Sequence, residues 1–279
     1  MIHVCSVILI SGVSALLGQG DSTDLPFDES QIVDQRAYSD SSNACGPASI
    51  LNLLKFSRAE YQSAYDGILG AKDKVRIRFF VDRYFRNRRS VIYKDQKRWG
   101  VHGVQSADLV TGLNEFLSEN ALPKLNAGYL DRQVDESAAE HLNRCHEMIA
   151  ASIENGVAPI ISLRSYLVRE QEGEDADPAW ETGRHHNLVV IDVSEKPDAL
   201  GFRVVALDPW MGRKVELYLH VESNSQGFRA LKGVEESGKW LNGEPFLQVL
   251  APQVSSLQPV DLKWSERFVV VANFLIGDY

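Results

Sequence analysis

The apolar positions of this chain change their period near its middle. Ile50, Leu51, Leu53 and Leu54 recur at helical spacing and predict a helix that opens at Cys45 and runs to about Lys55. Pro47 suits the first turn of that helix, where a missing N–H removes no hydrogen bond. From Arg58 to Ile153 the pattern stays mainly helical. Ile77, Phe80, Val81, Tyr84 and Phe85 form one stripe. Leu109, Leu113, Phe116 and Leu117 form another within Ser106 to Glu119. Leu142, Cys145, Ile149 and Ile153 form a third within Ser137 to Ile153, with Gly156 as its C-terminal stop. From Ala158 onward β-branched apolar runs predict strands, the last over Arg267 to Leu275. Helices first and strands later is the α+β pattern. No internal repeat, low-complexity tract or long linker divides residues 21 to 279, which read as one domain.

Three polar positions stand out against this pattern. Cys45, in Asn43-Ala44-Cys45-Gly46-Pro47, falls at a predicted helix N-terminus, where the dipole and free N–H groups favour a thiolate. His185 and His186 run directly into the apolar strand Leu188 to Ile191. Asp208 ends the next strand, Phe202 to Asp208, just before Pro209. The intervening Ser194-Glu195-Lys196-Pro197-Asp198 is a turn signal. In an antiparallel pair, the start of one strand and the end of the next share an edge. Cysteine, histidine and aspartate would then meet as nucleophile, base and orienting carboxylate.

The segments Cys45-Gly46-Pro47-Ala48-Ser49, His186-Asn187-Leu188-Val189-Val190 and Leu207-Asp208-Pro209 resemble the motifs of papain-like cysteine peptidases of the bacteriocin-leader (double-glycine) type. Asn155 to Leu163 is similar to that family's helix, glycine, strand element. The resemblance covers roughly residues 35 to 215, with a divergent middle. It implies a papain-like fold, with N-terminal helices carrying the nucleophile packed on a C-terminal antiparallel sheet. It also implies a Cys45, His186 and Asp208 triad acting on a peptide or protein substrate with no cofactor. The alignment selects His186 over His185. Strand alternation lets only one of them face Cys45, so His185 is expected to point toward solvent or a loop. The family's oxyanion-donating glutamine is missing at its usual spacing, where Ser39 stands. Gln35, ten residues before Cys45, and Asn43 are the two candidate donors. Transglutaminase-like and phytochelatin-synthase-like acyl transferases use a similar Cys, His and Asp arrangement. An inactive papain-like binding module also fits the displaced glutamine.

Composition narrows the partners. A net charge of −9 argues against nucleic acid as a general partner. No apolar run reaches the roughly 18–20 residues of a membrane helix. Residues 1 to 20 lack Lys, Arg, Asp and Glu, are largely apolar and end in Gly18-Gln19-Gly20. They resemble a secretory signal peptide with a weak n-region, which implies a secreted or periplasmic protein. Lys72 to Arg98 holds eleven Lys or Arg against three Asp, read either as a solvated helix face or as an electropositive rim. Cys145 lies on an apolar stripe and reads as core, while His141 and His146 read as surface positions. His102 sits in a turn before a helix. No C-x-x-C or H-x-x-x-H spacing suggests a metal site.

Overall fold

The computed structural model describes residues 22–25, 27–133, 135–169, 179–221, 229–230, 247–258 and 266–279. The signal-like segment 1–20 lies outside them. The chain is α+β. Five α-helices are described: α1 (Cys45–Phe56), α2 (Ala59–Asp66), α3 (Asp73–Phe80), α4 (Ser106–Glu119) and α5 (Ala138–Glu154). A π turn, Val81–Phe85, extends α3. The strands are β1 (Ser22–Asp24), β2 (Asn126–Tyr129), β3 (Ile160–Arg169), β4 (Ala179–Ser194), β5 (Gly201–Asp208), β6 (Arg213–Val221), β7 (Arg229–Ala230), β8 (Leu247–Leu250) and β9 (Glu266–Gly277).

The helix ends follow local chemistry. Ser137 caps α5 through a reciprocal pair with Glu140, each side chain accepting the other's backbone N–H. Gly156 takes a left-handed φ of 73° just beyond that helix and turns the chain into β3. Ser57, after α1, donates to the Leu53 carbonyl and accepts the Ala158 N–H at 2.9 Å. The C-terminal end of α1 is thereby tied to the start of β3.

Antiparallel strands run in the order β4-β3-β9-β8-β6-β5, and β5 pairs again with β4. The sheet therefore closes into a barrel, which leaves those strands without a free edge over their paired lengths. The last strand, β9, sits in the ring between β3 and β8 and also carries β2. Its role follows from this position, because without it the ring is open. Gly201 is required where β5 crosses β6, since a Cβ there would lie 2.1 Å from the Leu219 carbonyl oxygen.

α1 is buried along nearly its whole length, between the barrel and the other helices. Asn52, within it, accepts the Val33 N–H at 2.8 Å and fixes the incoming segment. Much of the basic 72–98 stretch is paired internally. Arg78 and Arg86 bond Asp82, and Arg83 bonds Glu119. Arg98 is buried in a bidentate pair with Glu115, both contacts at 2.8 Å.

Candidate active site

Cys45 is the first residue of α1 and is 8% exposed. Gly46 follows because the helix start is wedged between two elements. A Cβ there would lie 2.8 Å from Leu109 of α4 and 3.7 Å from the Asn187 amide of β4. β5 ends at Asp208, and the described β4–β5 pairing begins at Val189. Upstream of Val189 the N-terminus of α1 occupies that side of β4. Ser49 donates to the Asn187 carbonyl at 2.9 Å. Asn187 in turn donates to the Cys45 sulfur through its backbone N–H and, at 3.5 Å, through its side-chain amide. Ser162 of β3 donates to the Asn187 Oδ1 at 2.6 Å and orients that amide.

His186 hydrogen-bonds the Cys45 sulfur from one side of its ring. Its Nε2 lies 2.7 Å from Asp208 Oδ1. Asp208 is 0% exposed and also accepts the Trp210 N–H at 2.7 Å. Its Oδ2 is 3.9 Å from Arg213 Nε. His186 therefore bridges thiol and carboxylate within β4, while β5 supplies the carboxylate at its end. The histidine sits seven residues inside β4 rather than near its start, because the strand begins at Ala179.

Electrostatics in this chain oppose burial. Burial alone pushes the Cys45 thiol up, but the hydrogen bond and charge of His186, then the two donors of Asn187, hold it below its ordinary value. Burial alone pushes His186 down. Its hydrogen bonds to Asp208 and Cys45, then their charges, raise it to about 9. Both shifts favour a thiolate beside an imidazolium.

The two candidate oxyanion donors differ. Gln35 is 2% exposed in a short helical turn, Gln35–Ala37. Its backbone N–H donates to Pro209 O at 2.8 Å, which docks the turn beside the end of β5. Its side-chain amide donates to Ser41 O at 2.6 Å, and its Oε1 is buried without a partner. That amide carries a second N–H. Asn43 is half-buried and its amide donates to Asp40 at 2.9 Å. The carbonyl of Asn43 backs onto Gly103, whose φ of 79° and absent Cβ allow a close approach.

Three histidines depart from expectation. His141 is 0% and His146 6% exposed, not surface residues. α5 packs against β1, β4, β6 and β9, so positions flanking its apolar stripe are covered as well. Each ring finds a carbonyl: His141 Nε2 lies 2.8 Å from Leu130 O and His146 Nε2 2.7 Å from Ser194 O. His185 does not reach solvent with its Nε2. That atom is buried without a partner, and the ring lies beside Arg164. Cys145 is fully buried, and burial pushes its thiol up to about 12. His102 is exposed in the turn before α4.

Asn187 is the residue that sequence reasoning missed. Its signal was a single amide at the head of the apolar run Leu188 to Ile191. Among the described residues no group of three His, Cys, Asp or Glu is placed to hold a metal ion. No protein-family model, curated protein or solved structure matches this chain.

Proposed function

We propose that this chain is a papain-like thiol hydrolase, a cysteine peptidase working through Cys45, His186 and Asp208. The supporting observation is the continuous chain of hydrogen bonds from the helix-terminal thiol through His186 to a fully buried carboxylate. A nucleophilic cysteine on a helix that packs against a closed antiparallel barrel carrying His and Asp supports the papain-like reading of the fold.

In this reading the Cys45 thiolate attacks the scissile carbonyl and forms an S–C bond. The oxyanion accepts from the Cys45 backbone N–H and the second amide N–H of Gln35. His186 gives its sulfur-facing proton to the leaving nitrogen as the C–N bond breaks, leaving a thioester. Water then attacks the thioester, His186 takes one of its protons, and the carboxylic acid leaves as the thiol is released. Asp208 holds the ring in place and stabilises its charged form throughout. Asn187 holds the sulfur in line through two donors.

Cleavage of a peptide library by the purified protein, with Cys45→Ala as control, tests this. New peptide N-termini that disappear in Cys45→Ala are the expected result. Product formed only when an amine is added would reassign the site to acyl transfer. A Cys45 that no thiol electrophile labels would reassign the domain to binding.

A further inference from the structure

Polar chemistry outside the triad continues one step along the strands that hold Asn187. Ser162 and Asn187 are cross-strand partners whose side chains meet, and Asn187 reaches Cys45. The next pair on the same face is Arg164 and His185, also cross-strand partners. Side chains two residues apart share a face, so this pair lies about 7 Å further along the strands. α1 runs antiparallel to β3, with its C-terminal end beside Ala158 and its N-terminus beside Asn187. Arg164 and His185 therefore lie beyond the helix N-terminus, on the side of Cys45 away from the body of α1.

Both residues are half-buried, and each turns one nitrogen away from solvent. Arg164 Nε and His185 Nε2 are both buried, and neither has a hydrogen-bond partner among the described residues. The guanidinium is braced by a hydrogen bond with Tyr166. Tyr166 packs edge-on against Trp180 and, with Val168, Val269 and Val271, forms an apolar cluster separate from the main core. The charges acting on His185 are those of Arg164 and His186, and neither is negative. Burial first, then these charges, push His185 down to about 3, so its ring is a neutral hydrogen-bonding group at ordinary pH. A partly buried guanidinium with no counter-ion among the described residues is costly, and a neighbouring ring nitrogen without a partner there adds to that cost. An anion that accepts from both removes both costs. A carboxylate matches them, with two oxygens for two N–H donors.

We propose that Arg164 and His185 form a substrate subsite for a carboxylate flanking the scissile bond, so that the preferred peptides are acidic there. The carboxylate belongs either to an Asp or Glu side chain or to a free peptide C-terminus. This subsite rests on the thiol hydrolase reading, since it is defined by its distance from a reactive Cys45.

Alkylation of Cys45 by paired chloroacetyl reagents, read by mass spectrometry of the full-length protein, tests it without a known substrate. Chloroacetylglycine against chloroacetylglycinamide probes a terminal carboxylate. Chloroacetyl-glutamic acid α-amide against chloroacetyl-glutamine α-amide probes an acidic side chain. In at least one pair the carboxylate should react about tenfold faster, as one charge-assisted contact allows. That ratio should fall toward unity in Arg164→Met and in His185→Gln. The neutral reagent is measured on each variant, so a partial loss of fold lowers both rates and leaves the ratio readable. Equal rates within both pairs in the unaltered protein would overturn the subsite. So would a preference that survives undiminished in both variants, since it would then belong to His186 or Arg213. No alkylation by any reagent would instead overturn the reactive thiol, and the subsite with it.

Discussion

Replacing Asp208 by Asn removes one charge from a fully buried position and keeps its shape. Asn retains an oxygen to accept the Trp210 N–H and the His186 Nε2–H, both now held at 2.7 Å by Asp208. What is lost is the negative charge that supports the imidazolium. The rise of His186 from 6.5 to about 9 corresponds to about 3 kcal/mol at 1.36 kcal/mol per pKa unit. Asp208 and Cys45 share it, and part of the Asp208 share is the hydrogen bond that Asn keeps. Loss of the charge should cost about half, and a 1.4 kcal/mol loss is about one unit in the pH at which His186 gives up its proton. NMR titration of the His186 ring should therefore show its midpoint about one pH unit lower in Asp208→Asn. Stability carries the same signature. A histidine raised in the fold stabilises fully below its unfolded value of 6.5 and loses that contribution as pH rises through about 9. The gap in unfolding free energy between the protein and Asp208→Asn should be widest below pH 6.5 and close toward pH 9. An unchanged His186 midpoint, with a gap independent of pH, would refute the reasoning.

Four further outcomes follow from the same geometry. Cys45→Ala and His186→Ala should each abolish hydrolysis, and peptide turnover by either variant would remove it from the mechanism. Gln35→Ala should lower kcat by about 100-fold, as for loss of one oxyanion donor, while Asn43→Ala should change it less than threefold; steady-state kinetics distinguish them, and the reverse order would exchange their roles. Cys145, with its thiol pushed up to about 12 and no exposed surface, should resist iodoacetamide until the protein is denatured, whereas Cys45 labels in the native state; equal native labelling in peptide mapping would contradict this. Gly112→Ala should lower stability by about 1–3 kcal/mol in urea unfolding, because its Cβ would lie 2.3 Å from the Phe85 ring between α4 and the π turn; an unchanged midpoint would show that the ring yields freely.

Much of this molecule is written locally. Helical spacing placed α4 at Ser106 to Glu119, the bounds it has in the structure, and α5 within a residue at each end. The Ser194 to Asp198 turn and the strands on either side of it were legible for the same reason, since a side-chain period and a turn residue act over a few positions. Cys45 and Asp208 were legible because each sits at an element boundary, and His186 because it precedes the apolar run Leu188 to Ile191, although its strand begins earlier, at Ala179.

Other features depend on which distant segments pair. Closure of the sheet requires β9 to enter between β3 and β8, and no local period encodes that contact. His141 and His146 read as polar and therefore outside, but packing on α5 covers them and two carbonyls satisfy their rings. Gln35 reaches the end of β5 through a single backbone bond to Pro209, across most of the chain. Arg164 and His185 are two ordinary strand residues until the β3–β4 register sets them side by side. The sequence alone determined the long helices, the presence of strands from Ala158 onward and the residue types able to do chemistry, because those follow from neighbours along the chain; β1 and β2 it did not show. Only the tertiary structure decided which of those residues meet, because register and barrel closure are set by burial shared among segments far apart in sequence.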